Sequence, residues 1–285
     1  MVLRRRRPPR QGLPDGWREI LDQRSGQWRL LRPDERDRLG ELADWLLREK
    51  RWEAAREFEL TDEARTVISA HAALLVLGLD ETWYDGIGAV VVRSGSMTQY
   101  GRSSGPVKGT VTGDDDQWID GEAHHGDGPL MVSWRAARRE AQQLRLGRDV
   151  VLHEFAHKID MYDGVLDGTP LLATDAETQR WVDVCTRHYD DVRFGSAKDG
   201  SGAFLRSYAG TNVAEFFAVA TETFFTRPIE LAERKPELYE VFAAFYRQDP
   251  ATRLREFLAA NAEGALARMA LNPPRIVVRS RPRNW

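Results

Sequence analysis

The stretch Val150-Val151-Leu152-His153-Glu154-Phe155-Ala156-His157-Lys158-Ile159-Asp160 decides how the rest of the chain is read. Its apolar positions describe a buried helix, and inside that helix stands His-Glu-x-x-His. Residues four apart on an α-helix lie one turn apart on one face, so His153 and His157 can turn their imidazoles toward a single metal ion. Zinc accepts such nitrogens at about 2.0–2.1 Å in tetrahedral geometry. Glu154, beside the first histidine, is placed to take a proton from a water that the ion acidifies. The competing reading is a pair of hydrogen-bonded core histidines with Glu154 in a salt bridge. Either way, two histidines and a glutamate on a buried helix require compensating partners.

Two histidines do not complete a protein site. The single cysteine, Cys185, rules out a cysteine-built zinc site, and the later His188 falls on a stretch that reads as a charged helix. The segment from Tyr208 to Phe225 is apolar nearly all round, yet it carries Glu215 and Glu222 two turns apart. A carboxylate among phenylalanines is costly unless it is paired or bound to metal. Glu215 is the better third ligand and Glu222 the fallback. Glu215 has a second reading as the acid of a capping box begun by Asn212. Glu222 or Asp160 could instead accept a hydrogen bond from a metal-bound histidine and orient it.

Working outward, the 285 residues are 42% hydrophobic and 30% charged, which excludes a disordered chain or a fibre and supplies enough apolar material for a core. A net charge of −3, from 41 Lys+Arg against 44 Asp+Glu, argues against nucleic acid and anionic membranes as partners. One cysteine excludes an internal disulfide. The Arg4–Arg7 run is followed by Gln11–Gly16 rather than an apolar segment, so no secretory signal is read and a cytoplasmic protein is expected. Residues 1–16 and 272–285 read as tails flanking one domain over 17–271.

Within that domain, helices are expected over Asp34–Lys50, from Thr61 as cap to Gly78, and over Val150–Met161, Ala176–Tyr189 and Val213–Phe225. A charged amphipathic pair is expected from Pro228 to Met269. Strands are expected at Ala89–Val92, Val107–Thr112 and Leu130–Trp134, the last as an edge to which an extended peptide could pair. The fold class is thus α+β, a mainly helical body with a small mixed sheet. His124-His125 and Asp114–Asp116 read as polar loop rather than a second metal or calcium site, and residues 195–203 as a flexible loop.

The His153–Asp160 segment, Tyr208 and Ala214-Glu215-Phe216-Phe217-Ala218-Val219 together resemble the Mlc titration factor A family of zinc metallopeptidases. The likeness takes in residues 55–250, including Leu60-Thr61, Ile68–Leu77 and Gly128–Trp134. The Tyr-to-Glu spacing and the His-Glu-Phe helix are also similar to the catalytic domain of anthrax lethal factor. The resemblance implies a zincin-like fold with a gluzincin-type site holding one Zn2+ per chain. It implies His153, His157 and Glu215 as the metal ligands, Glu154 as general base and Tyr208 as donor to the transition-state oxyanion. It further implies aminopeptidase-like hydrolysis of a peptide or protein substrate, and a transcriptional repressor of the Mlc type as a partner. A regulatory protein that sequesters a transcription factor, its zinc purely structural, is the competing function.

Overall fold

The computed structural model describes residues 11–55, 58–95, 129–195 and 204–271, with backbone alone over 263–271. The helix bearing the two histidines, α6 (Val150–Asp160), lies against α4 (Asp62–Leu75) and α8 (Val213–Thr226) at the centre of the molecule. Composition explains why those three are central. Apart from its first turn, α8 buries every residue, and α4 buries all from Thr66 to Leu75. Helices apolar on more than one face can only be satisfied inside. Thr61 caps α4, accepting from Ala64 N at 3.2 Å, and Asn212 caps α8, accepting from Glu215 N at 2.9 Å.

Around this centre run α1 (Trp17–Arg24), α2 (Gly26–Leu30), α3 (Pro33–Glu49), α5 (Trp134–Glu140) and α7 (Asp175–Phe194). The expected pair after Pro228 is three helices: α9 (Pro228–Arg234), α10 (Pro236–Tyr246) and α11 (Pro250–Leu271). Each opens on a proline, which lacks the N–H that a first helical residue leaves unused and cannot continue a preceding helix. Aromatic rings of α7, α8 and α10 pack together, with Trp181 stacked on Phe242 at 4.8 Å and Phe224 on Tyr246 at 5.7 Å. Gly78 is not the helix cap, since α4 ends at Leu75 with Val76 as its C-cap. A Cβ at Gly78 would stand 2.4 Å from the Tyr246 carbonyl oxygen, so the glycine admits the end of α10.

The described sheet has three strands in the order β1 (Arg51–Ala54), β2 (Ala89–Arg93), β3 (Leu130–Ser133), all parallel. The antiparallel pairing of a mixed sheet is not among the described strands, and the Val107–Thr112 candidate lies outside the described residues. So do His124-His125, Asp114–Asp116, most of 195–203, and residues 1–10 and 272–285 of the expected tails. Trp52 registers with Val90 and Val90 with Leu130. Strand β3 is one of the two outer strands of the described sheet and hands the chain directly to α5, so Trp134 begins a helix rather than ending a strand. Among the described residues no helix is long and apolar enough to cross a membrane.

Candidate metal centre

Asp149 starts the histidine helix. Its Oδ1 accepts from Val151 N at 3.0 Å and Leu152 N at 3.2 Å, fixing the first turn of α6 from which His153 projects. From the facing helix comes Glu215, in the first turn of α8. Glu215 Oε2 lies 3.1 Å from His153 Nε2 and 3.7 Å from His157 Nε2, and the two Nε2 atoms are 3.3 Å apart. Bonds of about 2.0–2.1 Å to a tetrahedral ion place its ligand atoms about 3.3 Å from one another. The three side chains therefore span one face of such a tetrahedron and could hold one metal ion.

The donor set fits that use. Glu215 Oε2 is buried with no hydrogen-bond partner among the described residues, an arrangement that costs free energy unless something cationic takes the lone pair. The two readings of Glu215 turn out to be separable. Asn212 caps the helix through the Glu215 backbone N–H, while the Glu215 carboxylate turns away toward the histidines.

Electrostatics bind the cluster together. Burial opposes a charge on His153, but the carboxylates of Glu215 and Glu222 facing its two ring nitrogens outweigh it and push its pKa up to about 10. Burial alone would raise Glu215, yet the imidazoles of His153 and His157 hold it well below the usual carboxylate range. Burial, with His153 beside it, lowers His157.

Glu222 lies outside the three-residue cluster. Its Oε1 accepts from His153 Nδ1 at 2.8 Å, so it orients the imidazole from behind. Asp160, the other candidate for that role, instead accepts Gly168 N at 2.9 and 3.0 Å and secures the loop after α6. His188 and Cys185 lie on α7, outside the cluster. Tyr208 sits in a single 3₁₀ turn, Ser207–Gly210, with its ring centroid 6.1 Å from that of His153. Glu154 follows His153 on α6, partly buried.

Sequence reasoning missed the groups behind Glu222. Its Oε2 accepts from Asp149 N at 2.7 Å, and the Arg206 guanidinium donates to its Oε1. Asp149 Oδ2 lies 2.6 Å from His71 Nδ1, and His71 Nε2 lies 2.9 Å from Ser25 Oγ. The available signal was a histidine, His71, set in the mostly apolar second half of α4 between Ile68 and Leu75.

A profile of the family described as "Glucose-regulated metallo-peptidase M90" matches residues 1–247. The chain belongs to this family. Its M90 relatives include the Mlc titration factor A of Escherichia fergusonii, 32% identical over 240 residues, covering 79% of this chain and 84% of the relative. The Mlc titration factor A of Yersinia pestis (strain Pestoides F) is 30% identical over 256 residues, 86% of each chain. A Synechocystis protein, slr2042, is 32% identical over 238 residues, 84% of this chain and 86% of its own. The M90 match and the His153–His157–Glu215 cluster agree on a metallopeptidase-like protein with a mainly helical body.

Proposed function

We propose that this chain is a zinc-dependent, aminopeptidase-like peptidase of the gluzincin type. The observation that carries the reading is the convergence of His153 Nε2, His157 Nε2 and Glu215 Oε2, with Glu154 next to the first of them on the same helix. Those three would hold one Zn2+. Bound there, the ion would supply Lewis acidity, lowering the pKa of a water and polarising the scissile carbonyl. Glu154 would take that proton and return it to the leaving amine. Tyr208 donates its hydroxyl to the developing oxyanion. Side chains of His153, His157 and Glu215 keep 13%, 11% and 14% of their surface accessible, which supports an open coordination position of the kind catalytic zinc sites retain. An extended peptide would pair along β3, an outer strand of the described sheet, where Met131 is exposed.

The name of the enterobacterial relatives, Mlc titration factor A, favours a second reading: a regulatory protein that binds a repressor of the Mlc type, its metal site structural. The two part on one experiment. Purified protein is assayed for zinc content and for hydrolysis of aminoacyl chromogens, with and without chelator, and for binding of a purified Mlc-type repressor. Stoichiometric zinc with chelator-sensitive hydrolysis is expected. Repressor binding that survives chelation, with no hydrolysis at any zinc level, would replace the peptidase reading with the regulatory one.

A further inference from the structure

Three carboxylates are buried around the start of α6: Glu140, Asp149 and Glu222, exposed by 5%, 2% and 2%. Each needs its own compensation. Glu140 accepts from Val150 N at 2.9 Å and pairs with Arg139 at 3.0 Å. Asp149 caps the helix and faces His71. Glu222 has the backbone N–H of Asp149, the Nδ1 of His153 and the Arg206 guanidinium.

The last two of these donors meet at one atom: His153 Nδ1 lies 2.8 Å from Glu222 Oε1, and the Arg206 guanidinium is paired with the same oxygen. Arg206 is a permanent cation, so its pairing offsets the buried Glu222 charge whatever His153 carries. Arg206 also immediately precedes the Ser207–Gly210 turn carrying Tyr208, so its bond ties that turn to the core of the site.

We propose that Arg206 is a positioning residue for the metal centre, acting on His153 through Glu222. Its guanidinium compensates the buried carboxylate at the oxygen that faces Nδ1, and so keeps Oε1 aimed at that ring. The inference rests on the metal site of the proposed function and not on peptidase activity.

The test is a double-mutant cycle on zinc affinity, measured by competition with a chromogenic chelator, using Arg206→Gln, Glu222→Gln and the double variant. Arg206→Gln is expected to weaken zinc by about 10-fold or more, in the range typical of groups behind a metal ligand. In the Glu222→Gln background, the same change is expected to cost less than about 2-fold, because the carboxylate it serves is gone. Arg206→Lys, which restores the charge, is expected to recover most of the affinity. Equal losses in both backgrounds, or no loss in either, would overturn the proposal. Should Arg206→Gln alone not fold, Arg206→Lys takes its place in the cycle, with a smaller loss expected that again vanishes beside Glu222→Gln. A wild-type chain that binds no zinc would instead remove the metal site itself, a result distinct from unchanged affinity in the variants.

Discussion

Nδ1 of His153 lies 2.8 Å from Oε1 of Glu222, while Nε2 of the same ring faces Glu215 at 3.1 Å. One imidazole is thereby held from both edges by carboxylates of one helix, α8, set two turns apart. A metal would take the Nε2 edge, leaving the Nδ1 bond to fix the ring's tautomer and plane. Glu222→Leu is expected to weaken zinc by about 10–100-fold while Glu215→Leu abolishes stoichiometric binding. Equal affinities in the two variants would show that the two carboxylates do not divide the work in this way.

Glu154 lies outside the His153–His157–Glu215 cluster, and the proposed function gives it the proton transfer. Glu154→Gln keeps the length and shape of the side chain but cannot accept the proton. Zinc content is expected to be unchanged by elemental analysis, with turnover of a peptide substrate falling by at least about 100-fold. Wild-type-like turnover in that variant would remove Glu154 as general base.

Metal removal should cost stability without melting the fold. The three ligands come from α6 and α8, two helices already joined by buried apolar contacts such as Phe155 and Phe217 in one core. An ion bound at a thousandfold excess over its Kd adds about 4 kcal/mol. Chelation is therefore expected to lower the Tm by several degrees in differential scanning fluorimetry, with far-ultraviolet circular dichroism preserved. An unchanged Tm would speak against a metal at this cluster.

Gly168 tests how the loop after the histidine helix supports the site. Its φ is +77°, and a Cβ there would stand 2.5 Å from the Val213 carbonyl oxygen, two residues before Glu215. Gly164 shares the left-handed conformation at φ +90° but has nothing within 4 Å. Gly164→Ala is expected to lose roughly 1–2 kcal/mol through handedness alone. Gly168→Ala adds a backbone clash, so urea unfolding should show a clearly larger loss. Equal losses would mean that the close approach is relieved at no cost.

The metal cluster was legible because helical spacing is a local rule. His153 and His157 are four apart, and Glu215 stood out as an acid in an apolar helix. The second set of partners was not legible, because nothing local distinguishes it. Arg206 is one of 41 basic residues, and its partner lies 16 residues away; His71 and Asp149 are 78 apart in the chain. Strand β1, Arg51-Trp52-Glu53-Ala54, was missed since it is short, mostly exposed and shows no apolar alternation. It is a strand because β2 offers it a parallel partner, which only the fold decides. Pro236 and Pro250 were visible in the sequence and mark where the expected C-terminal pair breaks into three.

Asp160, also fully buried, provides the pH dependence. Burial drives its pKa up from 3.8 to about 7, against the lowering effect of the Gly168 N–H. A raised carboxylate pKa means that the folded chain binds this proton more tightly than the unfolded one. The stabilisation is fully present below about pH 4 and is lost as pH rises through about 7. Other carboxylates titrate too, so the informative quantity is the difference between wild type and Asp160→Asn, which carries no titrating proton. The advantage of wild type over the variant in urea unfolding is expected to shrink between about pH 4 and 7, by at most about 1.4 kcal/mol per unit. Above pH 7 the difference should level off, since Asp160 is then ionised in both states. A difference that grows with pH would mean that the Gly168 hydrogen bonds favour the ionised form more strongly than burial disfavours it.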